Sequence, residues 1–240
     1  MTKAEIKRIS ALGAKKMRDE SGLFVVEGEK LVAEALSSGL EIDSVYYMSD
    51  IGAEAMARIS QLKSPSPALA VVRKRPEPSP QEVASLIESR PLCLALDCVR
   101  DPGNLGTIVR IADWFGIDAI FAGRGTVELY NPKTVQATMG AIFRRRVIYC
   151  DLPDVARQFL QRGMPVFGTF LDGSDIYRES LGAEGLIVMG SESDGIGEEM
   201  ASLVSRRLFI PPYPRNAAGS ESLNVAIATA ITCALFRKSI

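Results

Sequence analysis

The sequence predicts an α/β protein: a small N-terminal α/β unit followed by a larger unit built on a mostly parallel sheet. Three observations carry this expectation. From Pro91 onward, short apolar stretches alternate with helix-like ones. Those short stretches are apolar throughout rather than at every second residue, as in strands covered on both faces. Between the units, Arg73 to Pro80 (Arg-Lys-Arg-Pro-Glu-Pro-Ser-Pro) is dense in proline and charge and reads as a linker. The chain therefore divides into 1–72, a linker with a lead-in helix over 73–90, and 91–240.

In the first unit Ala4 to Met17 is helix-like, Leu23-Phe24-Val25-Val26 is a short strand and Glu29 to Leu36 a second helix. Val45-Tyr46-Tyr47 reads as another strand and Gly52 to Leu62 as a third helix. In the second unit the expected strands are Leu92–Leu96, Ala119–Phe121, Val147–Tyr149, Val166–Thr169, Leu186–Met189 and Leu208–Ile210. Helices are expected around Leu105–Phe115, Pro132–Ile142, Val155–Gln161 and Leu223–Phe236. The last is apolar around nearly its whole circumference, so it must be covered on every side, partly within the chain and partly by a second copy.

Composition narrows the chemistry. The chain has 240 residues, a mass of 26.0 kDa and a formal net charge of -1, so no global basic field points to a nucleic acid and only local patches could. Histidine is absent. That removes Ser-His-Asp and Cys-His nucleophile systems and argues against a catalytic metal. Cys93, Cys98, Cys150 and Cys233 have no metal-ligand spacing and read as buried free thiols. No apolar run approaches a membrane span and no signal-like segment opens the chain, so the expectation is a cytoplasmic protein without membrane contact.

Three clusters carry chemistry. Asp97 to Gly106 follows a strand and runs into a helix bearing Arg110, which lies off the apolar stripe of Leu105, Ile108, Val109, Ala112 and Phe115. An Arg so placed can clamp a phosphate or carboxylate. Met189 to Gly197 is a glycine-rich turn after another strand, carrying Glu192. It matches neither the dinucleotide fingerprint nor a phosphate loop, which weakens a nucleotide-dependent oxidoreductase reading. The third runs from Ile210-Pro211-Pro212-Tyr213-Pro214 to Ser220–Ala226, where Ser222 and Asn224 flank Leu223 at the start of a buried helix. Either side chain can serve as a plain N-cap. Loops after parallel strands gather on one sheet edge, which is where open α/β sheets hold ligands.

Asp101-Pro102-Gly103-Asn104-Leu105-Gly106 with Arg110 resembles the first motif of the SpoU/TrmH family of RNA ribose 2′-O-methyltransferases, within the SPOUT superfamily. Gly190-Ser191-Glu192 with Gly195 resembles the second, and Ile210-Pro211 with Ser222-Leu223-Asn224-Val225-Ala226 the third. The string Gly22 to Leu31 is similar to the family's substrate-binding domain.

The resemblance implies a C-terminal domain with a deep trefoil knot, S-adenosylmethionine as cofactor, and a homodimer acting on ribosomal or transfer RNA. By motif position Gly190, Ile210, Leu223 and Asn224 would meet the cofactor, with Thr169 and Leu171 lining the same pocket. Asn104, Arg110, Glu192, Ser222 and Asn224 match catalytic or RNA-facing positions. The family's Arg has been assigned as a base. A guanidinium, with a pKa above about 12, hardly deprotonates, so a phosphate clamp is preferred for Arg110. Lys3, Lys7, Arg8, Lys15, Lys16 and Arg18 form one basic patch and Arg144-Arg145-Arg146 a second; of these Lys15, Lys16, Arg18, Arg144 and Arg145 are read, with Arg110, as RNA contacts. The loop between Ile210 and Leu223 is longer than usual in the family, and Ala137-Thr138-Met139 replaces a segment that often carries Ser. A non-catalytic RNA-binding protein keeping the same fold is the rival reading.

Overall fold

A computed structural model describes residues 1–214 and 222–238. The loop residues Arg215 to Gly219, and Ser220 and Glu221 before the last helix, lie outside the described residues.

The N-terminal unit comprises α1 (Lys3–Ala11), α2 (Lys15–Ser21), β1 (Leu23–Glu27), α3 (Glu29–Leu36), β2 (Ile42–Tyr47), α4 (Met48–Ile51), α5 (Ala53–Ile59) and β3 (Ala68–Arg73). Its sheet is antiparallel in the order β1-β3-β2. The expected single helix over Ala4–Met17 is two helices. Thr2 and Glu5 close a capping box at the start of α1, and the Leu12 amide turns back onto Ile9 and Ser10 to end it. β3 has no counterpart in the expected elements. It is the central strand, buried on both faces from Ala68 to Val72, and its short apolar run lies between two proline-containing stretches, 64–67 and 73–80, that read as loop.

The two faces of this sheet have different partners. Leu23, Val25, Leu69 and Val71 pack against Ile6, Ile9, Met56 and Ile59. Phe24, Val26, Ala70 and Val72 instead join the core of the second unit, with the Phe24 and Tyr130 rings 4.7 Å apart. The N-terminal unit is thus fused to the larger one through one face of its sheet.

The second unit runs α6 (Pro80–Glu88), β4 (Leu92–Leu96), α7 (Pro102–Trp114), β5 (Ile120–Ala122), α8 (Pro132–Ala137), β6 (Val147–Tyr149), α9 (Leu152–Gln161), β7 (Val166–Asp175), β8 (Gly185–Met189), α10 (Glu198–Leu203), β9 (Arg206–Phe209) and α11 (Val225–Arg237). Its six strands are parallel in the order β6-β5-β4-β8-β7-β9. The chain builds β5 and β6 on one side of β4 and β8, β7 and β9 on the other. β4 therefore lies at the point where strand order reverses, the usual ligand crevice of such sheets. Leu96 ends β4 opposite Met189, the end of β8, so the first two motif loops leave the sheet side by side.

β7 runs beyond the expected Val166–Thr169. Thr169 pairs with Leu208, and after four residues Ser174 pairs with Leu208 again. The intervening arch, Phe170 to Gly173, crosses so close to β9 that a Cβ on Gly173 would lie 2.6 Å from the Leu208 carbonyl carbon. Only glycine fits there. α11 buries Val225, Ala226, Thr229, Thr232, Cys233 and Phe236, yet Ile227 is 52% exposed. Within one chain, then, the helix is covered on one side.

Candidate active site

The site is built where β4, β8 and the start of α11 converge. Asp101 caps α7, its carboxylate accepting from the Asn104 amide at 2.8 Å, and Pro102 supplies the first helical residue. Asn224 caps α11: its Oδ1 accepts from the amides of Ala226 (2.9 Å) and Ile227 (3.3 Å). An amide oxygen engaged by two helix donors leaves the Asn224 nitrogen pointing away from the helix. That Nδ2 donates to Asn104 Oδ1 at 2.9 Å, and Asn104 Nδ2 donates to Glu192 Oε1 at 2.6 Å. The caps thus fix a directed line, Asn224 to Asn104 to Glu192, with one residue from each motif loop.

The second loop is fixed independently. Ser191 and Gly195 exchange backbone hydrogen bonds of 2.9 and 3.2 Å, closing a tight turn with Gly195 at φ +70°. A Cβ on Gly190 would lie 2.5 Å from the Gly195 carbonyl oxygen, so this turn closes only on glycine. Asp97, at the end of β4, accepts from the Gly197 amide at 2.8 Å and ties the first loop to the second. Asp97 and Asp101 carry no role in the sequence reading. The Asp-Pro start of α7 was the available cue for Asp101; Asp97 had none, because its partner is 100 residues away.

Other expected site residues fall nearby without joining the line. Arg110 and Ser222 are exposed, and neither side chain has an ion pair or hydrogen bond to a described residue. Thr169 and Ile210 are half-buried, while Leu171 on the arch and Leu223 are exposed. Among the described residues no hydrogen bond uses the main-chain amide of Gly190, Ile210 or Leu223. Free main-chain donors beside exposed apolar side chains suit a flat heteroaromatic ring with polar edges, so the residues present fit S-adenosylmethionine.

The residues of the two basic patches read as RNA contacts already have partners within the chain, and Arg18 is enclosed. Arg18 is 2% exposed: its guanidinium holds Glu128 in a bidentate pair (3.1 and 2.6 Å) and donates to the carbonyls of Leu12 and Gly13. A side chain so enclosed meets no RNA. Arg144 bridges Glu34 (2.9 Å) and Asp113 (2.7 Å), and Arg145 takes the other oxygen of Asp113 and the Ile117 carbonyl. Lys15 and Lys16 remain on the surface, each paired along its own helix, with Asp19 (2.6 Å) and Glu20 (3.8 Å).

Among the described residues no group of three His, Cys, Asp or Glu is placed to hold a metal ion, and no helix is long and apolar enough to cross a membrane. Cys93 and Cys233 are buried, with thiols pushed up to about 12 by burial. Cys98 and Cys150 are only half-buried, which departs from the expectation. Burial, then the charge of Asp97, still raises the Cys98 thiol, so it is protonated at neutral pH and unsuited to nucleophilic work.

Residues 91–234 match the family model described as the SpoU rRNA Methylase family. The chain belongs to that family. Residues 3–74 of this SpoU chain also match a model described as the MRM3-like substrate binding domain. Among relatives, the 23S rRNA (guanosine(2553)-2′-O)-methyltransferase RlmP of Bacillus subtilis is 32% identical, with 95% of this chain and 93% of the relative covered. The mitochondrial rRNA methyltransferase 3 of Xenopus laevis is 28% identical over 67% of this chain, which spans only 43% of that longer protein. A TrmH-family structure from Porphyromonas gingivalis superposes with a TM-score of 0.88 at 35% identity, covering 100% of this chain and 99% of the other. An AdoMet-bound rRNA methyltransferase from Sinorhizobium meliloti gives 0.85 at 30% identity, covering 100% and 96%.

The Gly190 turn yields a direct test of cofactor binding. Gly190→Ala is expected to weaken S-adenosylmethionine binding by about 5-fold to about 150-fold by calorimetry, since an overpacked backbone contact costs about 1–3 kcal/mol. Unchanged affinity would detach this turn from the cofactor.

Proposed function

We propose that this SpoU chain transfers the methyl group of S-adenosylmethionine to a ribose 2′-hydroxyl of ribosomal RNA in the cytoplasm. The observation that carries the reading is the Asn224–Asn104–Glu192 line at the sheet's switch point. It supports the reading together with the likeness to a 23S rRNA 2′-O-methyltransferase over nearly the whole chain.

The cofactor supplies an electrophilic methyl group on a sulfonium. What the chain adds is positioning, which is most of what an in-line displacement needs. Gly190, Ile210 and Leu223 offer main-chain groups, and Leu171 an apolar surface, for the cofactor. Asn104 and Glu192 present fixed polar atoms toward the ribose. Arg110 projects from α7 with its charge free to hold the neighbouring RNA phosphate, and Ser222 lies beside the cap of α11. The N-terminal unit contributes to holding the RNA.

The test uses methyl-labelled S-adenosylmethionine with separate pools of unmodified ribosomal and transfer RNA, followed by alkaline digestion. A 2′-O-methyl group blocks cleavage, so label in alkali-resistant dinucleotides from ribosomal RNA is the expected result. Label in mononucleotides would mean a methylated base and would overturn the reading. No label in either pool, with cofactor still bound, would favour a non-catalytic RNA-binding protein.

The active form is a homodimer in this reading. Trp114, the chain's single tryptophan, is 84% exposed on α7, next to Ile111 and on a helix that packs against α11 with its exposed Ile227. An apolar strip across two packed helices beside the site fits a second copy. Sedimentation is expected to give twice 26.0 kDa for the native chain and 26.0 kDa for Trp114→Glu. A native monomer would dispose of the dimer.

A further inference from the structure

A high local density of basic residues does not by itself leave cations available for RNA. On α2 the charges of Lys15, Lys16 and Arg18 are matched by Asp19, Glu20 and Glu128. By contrast, Lys30, Arg110, Arg124 and Lys133 have neither an ion pair nor a side-chain hydrogen bond to any described residue. All four side chains are solvent-facing.

Their places in the fold form one course. Arg124 follows β5, beside the end of β4. Its carbonyl accepts from Cys98 Sγ at 3.2 Å, and the Val127 amide bonds the Val99 carbonyl at 2.9 Å. The Arg124 loop is therefore stitched to the loop that begins α7, which carries Asn104 and Arg110. α8 lies directly against α7: a Cβ on Gly106 would sit 2.7 Å from the Thr134 carbonyl oxygen. Lys133 precedes Thr134.

From α8 the course crosses to the N-terminal unit. Gln136 Nε2 donates to the Glu27 carbonyl at 2.9 Å, and a Cβ on Gly140 would lie 2.7 Å from the Glu34 carboxyl carbon. Lys30 sits between Glu27 and Glu34 in sequence, at the start of α3, so it borders this seam. Lys133 is three residues from Gln136 and shares its side of α8. Glu29 precedes Lys30, but adjacent helix residues do not face each other.

We propose that Arg124, Arg110, Lys133 and Lys30 mark the path of the RNA phosphate backbone, from the Asn104–Glu192 line over α8 to the N-terminal unit. The inference rests on RNA being the substrate. It assigns α8 the task of carrying the strand across the seam between the units, and it places Lys30 and Lys133 as positioning residues remote from the reacting atoms.

The experiment measures binding of unmodified ribosomal RNA at several salt concentrations, and steady-state methylation, for the native chain and for Lys30→Ala, Lys133→Ala, Arg124→Ala and Lys15→Ala/Lys16→Ala. Each lost phosphate contact should lower the slope of log affinity against log salt by about 0.7–0.9. The expected result is that drop for Lys30→Ala, Lys133→Ala and Arg124→Ala. For the two lysine variants KM should rise with kcat kept, and calorimetric affinity for S-adenosylmethionine should stay unchanged in all three. Lys15→Ala/Lys16→Ala should leave slope and KM at native values. Native slopes and KM for Lys30→Ala and Lys133→Ala, in a chain that binds and methylates RNA, would overturn the path alone. A native chain that binds no RNA would overturn the path and the proposed substrate together.

Discussion

Replacing Asn224 with Asp is expected to leave the fold intact and remove at least about 99% of kcat/KM for methyl transfer, a loss typical of misaligned polar groups. Asn224 does two jobs with two different atoms. Its Oδ1 caps α11 through the Ala226 and Ile227 amides, and its Nδ2 orients Asn104. A carboxylate at this position still caps the helix, and its charge suits a helix N-terminus. It has no hydrogen to give Asn104. If Asn104 turns over to donate to the new carboxylate, its oxygen meets the carboxylate of Glu192; if it does not, two oxygens face each other at the other end. Either way one link of the line is broken. Asn224→Ala removes the cap as well and should lower stability by about 1 kcal/mol. The pair therefore separates capping from catalysis: equal melting for native and Asn224→Asp, with activity lost, is the expected pattern. Native activity in Asn224→Asp would show that the line does not align the reacting groups.

The architecture around this line was legible in the sequence to the extent that it depends on local pattern. Apolar strands alternating with helices after Pro91 give the parallel sheet. Where flanking segments mask the local pattern, the reading weakens. β3 escaped because its short apolar run lies between two proline-containing stretches, 64–67 and 73–80, and α10 because six residues after a glycine-rich turn carry little periodicity. The extension of β7 rests on the close approach of Gly173 to Leu208, which no local pattern encodes.

The three motif loops could be placed on one edge from the sequence. That Asn104 bonds both Glu192 and Asn224 could not, because the bonds join residues 88 and 120 positions apart and depend on β4 lying beside β8. The same limit explains the basic patches. Charge density along the chain shows where cations are concentrated, whereas availability depends on partners brought in by the fold. Arg18 finds Glu128 and Arg144 finds Glu34 across 110 residues each.

Arg18→Ala is accordingly expected to act on stability. Removing one member of a buried pair leaves the other uncompensated and costs about 3–5 kcal/mol. Here the carbonyls of Leu12 and Gly13 lose their donor as well. Among the described residues Glu128 then keeps Lys74 alone as an ion-pair partner, at 3.6 Å, and Lys74 is already shared with Asp19 at 2.7 Å. For a chain of this size the unfolding midpoint should fall by roughly 10 °C. Since Glu128 belongs to the second unit and Arg18 to the first, the loss should loosen their junction, visible as faster hydrogen exchange in α2 and β1. Arg18→Met with Glu128→Leu removes both charges and should recover much of the lost stability, though not all, because the two carbonyls stay without their donor. An RNA contact would behave in the opposite way: Arg18→Ala would melt like the native chain and lower the salt dependence of RNA binding. The buried pair predicts a lower midpoint and, below it, a native salt slope.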